Sequence, residues 1–235
     1  MKKLNLVAAV VVGMGLGVVA QATPINYTFQ ENDSPANTTT KLGTSATFTE
    51  SGYAITANGY YGSNPMFSGT QGSMTLNDTG DSHLAAKYTS GNQAETGLGI
   101  WYNSDNEINA NHAVTLNLSS LYSAGILNGA TLGLGSMQYG EKSAVYGSTD
   151  GINWTYLATI SQYGNTAMNT YSLDGTYDWI GVTETGGNQN GDHNVLITGL
   201  TVPGSNVHST PDGGTTALLL GAALSGLALL RRKLS

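Results

Sequence analysis

The chain contains no cysteine, only five prolines and three phenylalanines, and charged residues make up just 10% of it. Without cysteine there are no disulfides, no thiolate nucleophile and no lipid anchor on an N-terminal cysteine. Stability must come from a packed core. The histidines, His83, His112, His193 and His208, do not fall into a zinc-binding spacing. A G-x-S-x-G elbow and a P-loop are likewise missing. The expected class is therefore not an enzyme, and no residue is assigned a catalytic role. Bases are scarce too, eight Lys and Arg against fifteen Asp and Glu.

What is abundant is Gly (32 residues) and Tyr (13), with many Asn, Ser and Thr. That mixture suits an extracellular all-β protein rich in turns. Alternating segments occur at 25–30, 45–61, 72–80, 83–91, 97–102, 113–118, 130–139, 142–160, 169–175, 178–186 and 194–203. Roughly ten strands are expected, with no helix among them, in a β-sandwich or jelly roll.

The two ends differ from this body. Met1–Ala22 has Lys2 and Lys3, an apolar stretch and Ala20-Gln21-Ala22 as an A-x-A site. This predicts a signal peptide cut by signal peptidase after Ala22. Thr215–Leu230 is an uncharged run followed by Arg231, Arg232 and Lys233. As a helix its 16 residues would extend about 24 Å, a little short of the ~30 Å hydrocarbon core of a bilayer. With help from the flanking residues it is expected to act as a transmembrane-type helix, its basic end in the cytoplasm. The predicted organisation is a signal peptide (1–22), a β-sandwich domain (23–203), a polar tether (204–210) and a tail (211–235). Processing changes the charge. Only Lys41, Lys87 and Lys142 remain of the bases and only Asp212 leaves the acids, so the body carries about −11. Such a surface repels phosphates and argues against nucleic acid.

Pro211, Asp212, Gly213 and Gly214, then the apolar run, then Arg231 and Arg232 resemble the PEP-CTERM sorting signals, and most closely their VPDSG-type variant. This sequence has Thr210 and Gly213 where the variant usually has Val and Ser. The resemblance implies a bacterial envelope protein whose tail is recognised by an exosortase-type transpeptidase. In the body, Ser148-Thr149-Asp150-Gly151 with Trp154 is similar to the S-x-D-G-x-x-W pattern of discoidin-type, galactose-binding-like jelly rolls. The stretch 97–120, with a late strand NVLITGLTV, is similar to segments of many PEP-CTERM proteins.

Two site candidates follow. In the loop Asn103–Asn109, Asp105, Glu107 and Asn109 offer hard oxygens that suit calcium, with Asp192 and Asn194 as distant contributors. The same loop also reads as a plain solvated connection. Trp101 and Tyr102 are candidates for stacking on sugar rings. As adjacent strand residues they point to opposite faces. The expected function is a structural or glycan-binding component of an exopolysaccharide matrix, anchored at the envelope or released. The alternative is a glycan hydrolase using Asp105 and Glu107.

Overall fold

The structure is a computed structural model, and it describes residues 23–29, 38–62, 66, 74–76, 83–102, 106–138, 140–161, 168–186 and 194–204. All of these lie in the unit Thr23–Ser205. The signal-peptide and tail assignments, and the tether beyond Gly204, lie outside the described residues. No helix among the described residues is long and apolar enough to cross a membrane.

Thirteen strands make two antiparallel sheets, an all-β sandwich. Those of the first sheet are β1 (Ile25–Thr28), β2 (Thr38–Gly43), β5 (His83–Tyr88), β6 (Gly97–Trp101), β8 (Thr131–Gly135), β11 (Asn169–Ser172) and β13 (Leu196–Val202). They run in the order β11-β8-β13-β6-β5-β2, with β1 beside the distal half of β13. The second sheet holds β3 (Ser45–Glu50), β4 (Tyr53–Tyr61), β7 (His112–Asn117), β9 (Lys142–Ser148), β10 (Thr155–Ser161) and β12 (Trp179–Gly186). Its order is β10-β9-β12-β7-β4-β3.

Local chemistry accounts for much of this. β4 buries every second residue, Ile55, Ala57 and Gly59, which is the strand period. Glu50 pairs with Tyr53 across a two-residue turn in which Ser51 and Gly52 both have positive φ, 52° and 83°. That hand of turn matches the twist of a hairpin. The main core lies between the sheets and includes Ile55, Leu98, Ile100, Val114, Leu116, Leu132, Leu134, Val145, Ile180, Val182 and Ile197. A second cluster, Met66, Met74, Ala113, Ala144, Tyr146 and Trp154, covers part of the second sheet. β7, β9 and β12 are consequently buried on both faces along most of their length.

The chain crosses between sheets from β6 to β7 and again from β12 to β13. β6 lies beside β13 and β7 beside β12, so the two crossings interlock. They also touch: Ile108 in the first crossing pairs with Val195 in the second, through bonds of 2.8 and 3.2 Å.

Three expectations are corrected. A helix does occur, α1 (Ser119–Ser123), a single turn that buries Leu121; five residues are too few to show a helical period. β2 was not expected, because its Thr-Thr-Thr-Lys stretch buries no residue fully and shows no apolar alternation. The segment 72–80 contributes no strand among its described residues, 74–76, where the Thr75 N–H donates to the Met66 carbonyl (3.0 Å).

Candidate functional site

The β6–β7 crossing is drawn inward at Glu107 and Ile108, which are 5% and 0% exposed. Glycine permits this. A Cβ on Gly99 would lie 2.1 Å from the Asn106 carbonyl oxygen and 2.9 Å from the Glu107 Cα, so only a residue without a side chain lets the crossing lie against β6. A Cβ on Gly135 would lie 2.2 Å from the Ala94 carbonyl oxygen. These approaches bring together four polar side chains from separate elements: Lys87 on β5, Glu95 in the 3-10 turn Gln93–Glu95, Glu107 in the crossing and Ser136 just after β8.

Lys87 Nζ donates to Glu95 Oε2 (2.8 Å) and to Glu107 Oε1. Ser136 Oγ is placed to donate to Glu107 Oε1 (2.7 Å) or Glu95 Oε2 (2.9 Å). Ser136 has a positive φ of 59° and its N–H is fixed by the Ala94 carbonyl (2.7 Å). Burial pushes the Glu107 carboxyl above its usual value, against the pull of Lys87 and Ser136. Burial works to lower Lys87, but the Glu107 and Glu95 carboxylates outweigh it and hold the ammonium above its usual value. A charge in such a place is stable only while its partners stay.

Of the five calcium candidates, Glu107, Asn109 and Asn194 are described, Asn194 half-buried just before β13. The Glu107 carboxylate faces Lys87 and Ser136 rather than solvent. The Asn109 Oδ1 accepts from the Asn111 N–H (2.9 Å), closing its own turn. Asp105 and Asp192 lie outside the described residues. The chain segments on either side of them do meet, at Ile108 and Val195. Among the described residues no group of three or more His, Asp or Glu is placed to hold a metal.

Trp101 carries the Lys41 ammonium 4.7 Å from its ring centroid, a cation–π contact. Tyr102 stacks on Tyr61 at 4.0 Å, and both approach the buried His112. One face of each candidate ring is thus already occupied.

Sequence reasoning did not identify two grooves, because their linings come from distant segments. One, of about 580 Å³, lies between β4 and the 151–155 turn and is lined by Tyr60, Met74, Thr75, Leu76, Asn153 and Trp154 among others. The other, about 320 Å³, runs over β11, β8, β13 and β1 and is lined largely by threonines, including Thr28, Thr131, Thr170, Thr198 and Thr201. Among the described residues neither lining contains a charged side chain. The turn beside the larger groove is built around Asp150. Its Oδ1 accepts from the N–H groups of Asn153 (2.7 Å) and Ile152 (2.8 Å) and from Ser148 Oγ (2.9 Å), and its Oδ2 accepts from Asn153 Nδ2 (2.6 Å). The Asn153 bonds foremost hold the Asp150 carboxyl well below the usual carboxylate range.

The described body is an all-β sandwich of two antiparallel sheets. The VPDSG-CTERM motif matches residues 211–234, a PEP-CTERM-like sorting signal that includes Pro211, Asp212, Gly213, Gly214, Arg231 and Arg232. This supports an exported, envelope-associated protein handled by an exosortase-type system. No curated protein and no solved structure matches the chain, so the discoidin-like resemblance of the body is not confirmed.

Proposed function

We propose that the body is a non-catalytic, glycan-binding component of an extracellular or envelope matrix, delivered there by its sorting tail. The larger groove carries this reading. Tyr60 and Trp154 supply aromatic surface, while Thr75, Asn153 and Thr155 supply hydroxyl and amide groups, with no charge among the described lining residues. That combination suits a neutral sugar, whose ring face is apolar and whose hydroxyls need hydrogen bonds. The acidic body disfavours anionic polymers. The Glu107 carboxylate, engaged by Lys87 and Ser136, supports a non-catalytic role over a hydrolase built on Asp105 and Glu107.

The test is binding of the processed protein to neutral exopolysaccharide from the producing cells and to a panel of neutral oligosaccharides. Tyr60→Ala is expected to weaken binding about three- to tenfold, equivalent to about 1 kcal/mol for a lost stacking contact. Trp154 is a poorer probe, because at 7% exposure it also belongs to the second core cluster. Absence of binding by the unaltered protein, or full affinity in Tyr60→Ala, rejects this site.

A further inference from the structure

We propose that Lys87 and Glu107 become joined by an isopeptide bond between Nζ and Cδ, with Glu95 relaying the proton and Ser136 steadying the oxyanion. Four observations carry this. Lys87 Nζ bonds both glutamates. Glu107 and Ser136 are 5% and 2% exposed, while the Lys87 side chain keeps 19%, so the carboxylate of the pair is held where charge is expensive and a neutral product is favoured. The Ser136 hydroxyl is 2.7 Å from the Glu107 oxygen that becomes negative in the transition state. Finally, the two residues belong to different elements, β5 and the crossing loop, so the bond would lock the crossing to its sheet in a chain that has no cysteine for a disulfide.

The step balances without any redox partner. A proton passes from the Lys87 ammonium by way of Glu95 to Glu107 Oε2, the oxygen away from Ser136, leaving an amine and a carboxylic acid whose carbonyl oxygen is Oε1. The Nζ lone pair forms the new bond to Cδ, and the carbonyl electrons move to the oxygen facing Ser136. The Glu95 carboxylate takes a proton from the nitrogen and passes it to the Glu107 hydroxyl. The Cδ–O bond breaks and one water leaves, giving a secondary amide. Proximity is what the fold contributes, since amide formation from free acid and amine is unfavourable in water but gains from a fixed, dry geometry.

Peptide mass mapping of the full chain, recovered folded from its producing cells, tests this. A single tryptic peptide 42–142, uncut after Lys87 and lighter by one water than the linear chain of that span, is expected, since no other Lys or Arg separates Lys87 from Glu107. Glu95→Gln keeps the side-chain shape and removes the proton relay; Lys87→Arg keeps the cation and cannot form the amide. Both are expected to yield separate peptides, with circular dichroism confirming a folded β-protein. Complete tryptic cleavage after Lys87 in the unaltered protein, with Glu107 in a free peptide, overturns the proposal. Undiminished linkage in Glu95→Gln overturns the role given to Glu95.

Discussion

Gly99 and Gly186 are both strand glycines, yet they are not equivalent. A Cβ on Gly99 meets backbone, the Asn106 carbonyl, whereas on Gly186 it comes no closer than 3.5 Å to the Lys142 side chain. Backbone cannot swing aside as a side chain can. Gly99→Ala is therefore expected to cost about 1–3 kcal/mol as an overpacked site and to loosen the crossing that carries Glu107, while Gly186→Ala stays near neutral. Urea midpoints at constant slope separate the two. Asp150 makes a second residue-scale case. Its folded-state pKa is depressed, so its contribution to stability is fully present above its ordinary value of 3.8 and is lost as pH falls below that. The melting temperature should drop with acidification through that region. Asp150→Asn should flatten that part of the profile; an identical profile would show that the turn bonds do not contribute.

Among the elements, β4 was legible from its buried alternate residues, and β9, β12 and β13 fall inside apolar segments bounded by turn residues, although β9 and β12 are buried on both faces. β2 was not legible, because an edge strand of polar residues leaves no hydrophobic period. The turn around Asp150 was readable from Ser148-Thr149-Asp150-Gly151 alone, since its bonds join residues within three positions of one another. Contacts between sheets carry no such local signature. The Tyr27 hydroxyl on β1 donates to the Tyr53 carbonyl at the start of β4 (3.0 Å), and burial pushes its phenol up to about 12. Tyr27→Phe keeps the ring and removes this tie between sheets. A loss of about 1 kcal/mol is expected, with the Tyr53 carbonyl left short of a partner; an unchanged urea midpoint would mean that solvent replaces the bond.

For the molecule as a whole, the sorting motif at 211–234 and the β-sandwich are separate pieces of information: one concerns delivery, the other what is delivered. Intact masses from membrane and medium fractions of producing cells should show a species beginning at Thr23 and ending near Pro211-Asp212. Pro211→Ala with Asp212→Ala should retain the tail in the membrane fraction. Full-length protein confined to membranes in both cases would make the tail a simple anchor.

The sequence by itself determined the features that short-range chemistry encodes: the all-β class, the Asp150 turn, and a C-terminal motif defined by residues near one another in the chain. Only the tertiary structure decided which side chains meet. Lys87, Glu95, Glu107 and Ser136 converge because two glycine-backed approaches, at Gly99 and Gly135, fold the crossing and the 3-10 turn onto β6 and β8, and the larger groove joins Tyr60 to Trp154 across the second sheet. Period and propensity describe how a segment faces its surroundings. They do not specify which other segment supplies those surroundings, and that choice was made by burying both sheets against one core.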